Sequence, residues 1–153
     1  MTLRITIDDL TGPDIAALLQ QHLDDMRATS PPDSKHALDL DGLRTPDITL
    51  WTAHDGPHLV GCAALKHHDP TTAEIKSMRT ATTAQRRGVA TTLLQHLITQ
   101  ARHRHYTDLY LETGTADYFA PARALYQRFG FRTCPPFAHY QPDPHSTHMH
   151  LTL

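Results

Sequence analysis

The sequence predicts one mixed α/β domain over residues 1–153, a mostly antiparallel sheet of six to seven strands flanked by about four helices. Three observations carry this. Apolar residues recur at helical spacing in separate stretches, with short apolar or alternating runs between them. Asp55-Gly56-Pro57 divides two of those runs with good hairpin chemistry. Further on, a helical stretch leads straight into a strand, which calls for a parallel crossover back onto the sheet. A chain of 153 residues is long enough to bury roughly two-thirds of its unfolded surface.

Taken in order, residues 3–8 alternate enough for a first strand. Thr11 then reads as a helix cap, with Asp14 three positions on as a weak capping box and Pro13 in the first turn. Ile15, Leu18, Leu19, Leu23 and Met26 share one helical face, and Ser30-Pro31-Pro32 ends the run. A short second helix is expected over 34–43, with Ala37, Leu38 and Leu40 apolar, and Pro46 closes it. Strands over 48–54, 58–67 and 74–81 make an antiparallel meander, the last reached through Asp69-Pro70. A helix opening near Arg87 carries Val89, Ala90, Leu93, Leu94, Leu97, Ile98 and Ala101 on one side. Its basic end, Arg102-His103-Arg104-His105, suits the negative pole of the helix dipole. Residues 109–112 form the next strand, and 121–130 a helix with Gly130 as its C-terminal cap. Residues 131–134 and 147–153 are the last strands, on either side of a long proline-rich loop.

Formal net charge is −2, with 39% hydrophobic and 20% charged residues, so no global field favours nucleic acid or an anionic membrane. No apolar run approaches the ~20 residues of a membrane span. Residues 1–10 lack the apolar core of a signal peptide. Cys62 and Cys134 are too few for a disulfide framework, and both sit in strand-like text as expected buried thiols. A reducing cytoplasm is the resulting expectation. The 13 histidines are unusual, and include His67-His68, His103-x-His105 and His148-x-His150. None forms H-E-x-x-H or a zinc-spaced Cys/His set. His148 and His150 would share one face of a strand, yet solvent-facing side chains are the expectation and no metal site is predicted.

The most informative stretch joins the third meander strand to the helix after it: Gln85-Arg86-Arg87-Gly88-Val89-Ala90. A helix start leaves about four backbone N–H groups unpaired, and the dipole adds partial positive charge there. Gly88 and Ala90 keep the side chains small, so an anionic group can come down onto bare amides. Arg86 and Arg87 add full charge at the same end. The physical reading is an anion cradle, suited to a pyrophosphate. Neither G-x-x-x-x-G-K-S/T nor a strand-to-helix G-x-G-x-x-G occurs.

Through Gln85-x-x-Gly88-x-Ala90, this stretch resembles the Q/R-x-x-G-x-G/A signature of the GNAT superfamily of acetyl-CoA-dependent N-acetyltransferases. Glu74 stands on the preceding strand eleven positions before Gln85, and a downstream helix reads Ala122-x-x-Leu125-Tyr126-x-x-x-Gly130-Phe131, both as in that family. The resemblance covers most of the chain and weakens towards both ends. It implies a GNAT fold and acetyl-CoA as acetyl donor. It also implies direct attack by a primary amine of a small molecule or peptide.

The resemblance also implies roles for particular residues. Glu74 becomes the general base, where residue type alone would favour a strand-surface glutamate paired with Lys76. A carboxylate with the ordinary pKa of about 4.3 is a poor base at neutral pH unless burial or a nearby charge raises it. Tyr126 becomes the acid that protonates the leaving thiolate; the alternative is an aromatic core residue beside Leu125 and Phe129. Main chain of Met78, Arg79 and Thr80 contacts the cofactor, with the N–H of Met78 or Arg79 at the carbonyl oxygen. The Arg79 side chain faces the acceptor or is simply exposed. Gln85, Arg86, Arg87, Gly88, Val89, Ala90 and Thr91 complete the cofactor set. Phe119 stands where many members carry a cofactor-binding asparagine, with Thr113, Thr115 or Asp117 as substitutes.

Residues 24–43 and 137–150 would wall the acceptor side. There Asp24, Asp25, Asp33, Asp39 and Asp41 outnumber Arg27, Lys35 and Arg44, which reads as an acidic rim or as ordinary solvated faces. Trp51, Phe137 and Tyr140 line a pocket or pack. Homodimers are common in the family. The competing functional reading is a non-catalytic acyl-CoA-binding or sensing domain.

Overall fold

The computed structural model describes residues 2–31 and 37–153. Seven strands form one sheet: β1 (Arg4–Ile7), β2 (Ile48–Asp55), β3 (His58–Asp69), β4 (Thr72–Thr80), β5 (Asp108–Gly114), β6 (Arg132–Cys134) and β7 (Ser146–Thr152). Their spatial order is β1-β2-β3-β4-β5-β7-β6. β4 and β5 run parallel, connected by helix α2 (Val89–His103), and the remaining neighbours are antiparallel. Helices α1 (Pro13–Thr29) and α3 (Ala120–Arg128) complete the layers.

Strand alternation divides the sheet into two unlike faces. Ala73 and Ile75 of β4 point into the larger core with Leu93, Leu94 and Leu97 of α2, and Leu109 and Leu111 of β5. Removing each such leucine from water contributes roughly 1.5–3 kcal/mol. A smaller cluster gathers Ile15, Leu18 and Leu19 of α1 with Leu10, Leu43, Leu50, Cys62 and Ala64 on the opposite face. Glu74 and Lys76 alternate with Ala73 and Ile75, so they belong to that second face.

The meander, the crossover and the Asp55-Gly56 hairpin form as expected, with Gly56 at φ 57° in the turn. Among the described residues three α-helices flank the sheet, where the sequence predicts about four. Residues 34–36 of the expected second helix lie outside the described residues, and only the 3-10 turn Gly42–Arg44 forms at its far end. Thr11 does not cap α1. Its hydroxyl and N–H both bond to the Asp9 carboxylate, at 2.7 and 3.1 Å, and Gly12 takes the cap position without a side-chain bond. Helix α2 opens at Val89, two residues later than expected, because Gly88 adopts a left-handed φ of 81°. Gly130, at φ 96°, closes α3 as expected. Its N–H donates to Gln127 and that of Phe131 reaches back to Tyr126.

Two irregularities shape the functional region. β4 and β5 pair only from Thr72↔Asp108 to Ile75↔Leu111, after which the two part, β4 staying with β3 and β5 with β7. The β5-facing edge of β4 is therefore open along its last residues. Within the β3–β4 ladder, Arg79 sits opposite Cys62 and Lys76 opposite Ala64, so an extra residue is accommodated at Ser77-Met78. Ser77 takes φ 52° at this bulge, and the Cys62 thiol donates to its carbonyl at 3.3 Å. Burial pushes the Cys62 thiol up to about 12, so it stays protonated and keeps that bond.

Candidate active site

A cleft of about 650 Å³ opens where β4 and β5 part, running from the start of α2 to the polar face of the sheet. At the α2 end, nothing lies within 4 Å of where a Cβ on Gly88 would stand. The first bond of the helix runs from the Thr92 N–H to the Gly88 carbonyl at 3.0 Å, so the amides of Val89, Ala90 and Thr91 precede the helical ladder. The N-cap residue, Gly88, has no side chain to cap them. Gln85 and Arg86 line the same end, Arg86 at φ 64°. The Arg87 side chain turns away, donating to the Thr83 carbonyl at 3.2 Å and lining a separate pocket with Asp14 and Asp55.

Along the middle of the cleft lie Met78, Arg79 and Thr80 on one side and Leu111 to Gly114 on the other. Tyr126 reaches in from α3, its hydroxyl 3.6 Å from the Met78 sulfur, and burial pushes its phenol up to about 12. Phe119 packs tightly against β5: a Cβ on Gly114 would come within 2.2 Å of its ring. Phe119 thus presents an aromatic wall where the resemblance implies an asparagine. Of the suggested substitutes, Thr113 lines the cleft. Thr115 instead donates to the Pro144 carbonyl at 3.0 Å.

The far end is built on the second face of the sheet. Glu74 is 1% exposed, not the strand-surface residue that its type alone suggested. His68 Nε2 stands 2.8 Å from its Oε1, while Oε2 accepts the Tyr140 hydroxyl at 2.8 Å and the Lys76 ammonium at 3.4 Å. Lys76 also donates to Tyr140 at 2.9 Å. A carboxylate taken out of water needs such partners, because an unpaired buried charge costs several kcal/mol. Burial, reinforced by Glu74, pushes the Tyr140 phenol far up, so it remains a donor. Phe137 stacks on Tyr110 at 4.7 Å and meets Tyr140 edge-on at 5.0 Å, roofing the network.

Beside it, Arg79 is buried with Nη2 2.7 Å from Asp25 and Nη1 3.3 Å from the Tyr118 hydroxyl. The Nη2 contact has ion-pair distance without hydrogen-bond alignment. His22, also at the cleft, is held down to about 4 by burial and then by the Arg79 charge. It is neutral at pH 7.

Other expectations need revision. His148 is 4% exposed and stands 3.2 Å from Glu112, and His150 is half-buried against Asp108 at 2.7 Å, so these two do not face solvent. Cys134 is only half-buried, since β6 is an edge strand. Trp51 packs in the larger core away from the cleft. In the acidic segment, Asp24–Arg27 and Asp41–Arg44 are exposed pairs, whereas Asp25 turns inward to Arg79. Asp33 and Lys35 lie outside the described residues. The contacts of Glu74 with His68 and Tyr140, and of Arg79 with Asp25, had no local sequence signal.

Residues 15–131 match the Acetyltransferase (GNAT) family. The chain belongs to the GNAT acetyltransferase family. This GNAT chain is 51% identical over 147 residues to YsnE of Bacillus subtilis (strain 168), an uncharacterized N-acetyltransferase, covering 96% of this chain and 97% of YsnE. It is 36% identical over 124 residues to the IAA acetyltransferase of Azospirillum brasilense, covering 80% of each. A solved Klebsiella pneumoniae structure, described as an acyl-CoA N-acyltransferase, superposes with a TM-score of 0.79 at 28% identity, covering 99% of this chain and 98% of that one. The protein is an acyltransferase of the GNAT type, and acetyl-CoA is its donor.

The cleft fits that donor. Uncapped amides and the Arg86 charge at the start of α2 suit a pyrophosphate, and the open edge of β4 can pair with an extended amide-bearing chain. Among the described residues, no helix is long and apolar enough to cross a membrane.

Proposed function

We propose that this protein transfers an acetyl group to the primary amine of a small molecule or peptide by direct attack, with Glu74 as general base and Tyr126 as general acid. One observation carries the reading. Glu74, a carboxylate buried among donors, borders the same cleft as Tyr126 and the open start of α2. Acetyl-CoA supplies a thioester whose carbonyl carbon accepts the amine.

Glu74 takes the proton of the acceptor ammonium, directly or through water, which frees the nitrogen lone pair. The Met78 N–H, displaced by the bulge, donates to the carbonyl oxygen as negative charge builds there. Tyr126 still carries its proton at pH 7 and donates it towards the departing sulfur.

At the acceptor end two cationic side chains are matched by carboxylates, Arg79 by Asp25 and Lys76 by Glu74. The test is incubation with acetyl-CoA and a panel of polyamines, amino acids, short peptides and IAA, after which the Azospirillum relative is named. An N-acetylated product identified by mass spectrometry, with one thiol released per product, supports the reading. Acetyl-CoA binding with no transfer to any amine counts against it.

A further inference from the structure

The cleft already contains a primary amine next to its proposed base. The chain has three lysines, Lys35, Lys66 and Lys76, and Lys76 lines the cleft. Its side chain is 7% exposed, with Nζ 3.4 Å from Glu74 Oε2 and 2.9 Å from the Tyr140 hydroxyl. It directly precedes the Ser77-Met78 bulge, so it leaves the strand beside the point where β4 opens towards the cofactor.

We propose that Lys76 is itself an acetyl acceptor, and that the protein acetylates its own Lys76 when no external amine fills the cleft. The inference rests on the role of Glu74 given above. Glu74 takes one proton from the Lys76 ammonium, and the nitrogen lone pair forms an N–C bond to the acetyl carbon. The C–S bond breaks, the thiolate takes the Tyr126 proton, and the acylated nitrogen releases its second proton to solvent, from which Tyr126 is reprotonated. The products are an acetyl-lysine amide and free CoA thiol. An amine held in the cleft needs no diffusive encounter, which offsets its imperfect alignment.

The modified side chain has lost its charge but keeps one N–H for Glu74 or Tyr140. It also occupies the acceptor end, so each chain reacts once and then turns over external amines more slowly. Self-acetylation would thus act as a brake when donor is abundant and acceptor scarce.

The experiment incubates the purified full chain with acetyl-CoA and no added amine, then follows intact mass and maps the acetylated peptide. The expected result is one acetyl group per chain on Lys76, at a rate independent of protein concentration. Lys76→Arg abolishes the gain, and Glu74→Gln slows it by about a hundredfold or more. Parallel acetyl-CoA titration and turnover with external amines separate the failures. Acetylation of external amines with Lys76 unmodified overturns this inference alone. Absence of acetyl-CoA binding overturns it together with the functional reading. Equal labelling of Lys66 and Lys76, or labelling undiminished in Glu74→Gln, marks plain chemical acetylation and also overturns it.

Discussion

The Tyr140 hydroxyl donates to Glu74 Oε2 at 2.8 Å, a bond between side chains 66 positions apart in the chain. It ties the loop between β6 and β7 to the middle of the sheet, and it fixes a buried carboxylate in one orientation. Tyr140→Phe removes that donor while keeping the ring against Phe137. We expect about 1–3 kcal/mol lower stability in urea unfolding, because a buried acceptor loses a partner. Turnover should fall more than acetyl-CoA affinity. Unchanged turnover would show that the orientation of Glu74 does not matter.

The cradle at α2 makes a second prediction. Gly88 sits at φ 81° with open space over it. Gly88→Ala adds backbone strain of roughly 1–2 kcal/mol without placing charge near the amides. Gly88→Asp adds a carboxylate where the pyrophosphate is expected to lie. Calorimetric titration should show acetyl-CoA affinity at least about tenfold weaker in Gly88→Asp than in Gly88→Ala, since like charges at a helix start repel. Equal affinities would place the phosphates elsewhere.

His22 predicts a pH effect on stability. Burial, and then Arg79, lower its pKa from 6.5 to about 4. The unfolded chain therefore takes up this proton at a higher pH than the folded one. The stabilisation is fully present above pH 6.5 and is lost as pH falls towards 4, by up to about 3 kcal/mol. Urea midpoints compared between wild type and His22→Gln should converge on acidification through this window. Parallel curves would mean that His22 is not held neutral.

Phe119 and Gly114 form a coupled pair. Gly114→Ala drives a methyl into the Phe119 ring and should cost about 1–3 kcal/mol. Phe119→Leu in the same chain should recover part of that loss, a non-additivity readable in a double-mutant cycle. Strict additivity would indicate that the two do not touch.

How much of this was legible in the sequence depends on the range of the interaction. Gly88, Gly56 and Gly130 announce their turns because left-handed backbone is a local requirement that few residues meet. The α2 face showed in the spacing of Leu93, Leu94, Leu97 and Ile98, all of them buried. Thr11 misled because its hydroxyl has two local partners, and Asp9 outcompetes the helix amides. The Ser77 bulge and the early parting of β4 from β5 left no pattern, since both arise from how the strands pair. Tyr140 was recognisable only as an aromatic residue near the acceptor side. Its partnership with Glu74, like that of Asp25 with Arg79, depends on the tertiary path of the chain.

The most direct test of the central claim is the steady-state rate of acetyl transfer by Glu74→Gln, measured beside its acetyl-CoA dissociation constant. Glutamine keeps the shape of the side chain and can still bond to Tyr140, but it cannot take a proton from an ammonium. The account predicts a fall in kcat of roughly a hundredfold or more, with the dissociation constant within a few-fold of wild type. Wild-type turnover in Glu74→Gln would contradict the assignment of Glu74 as the base.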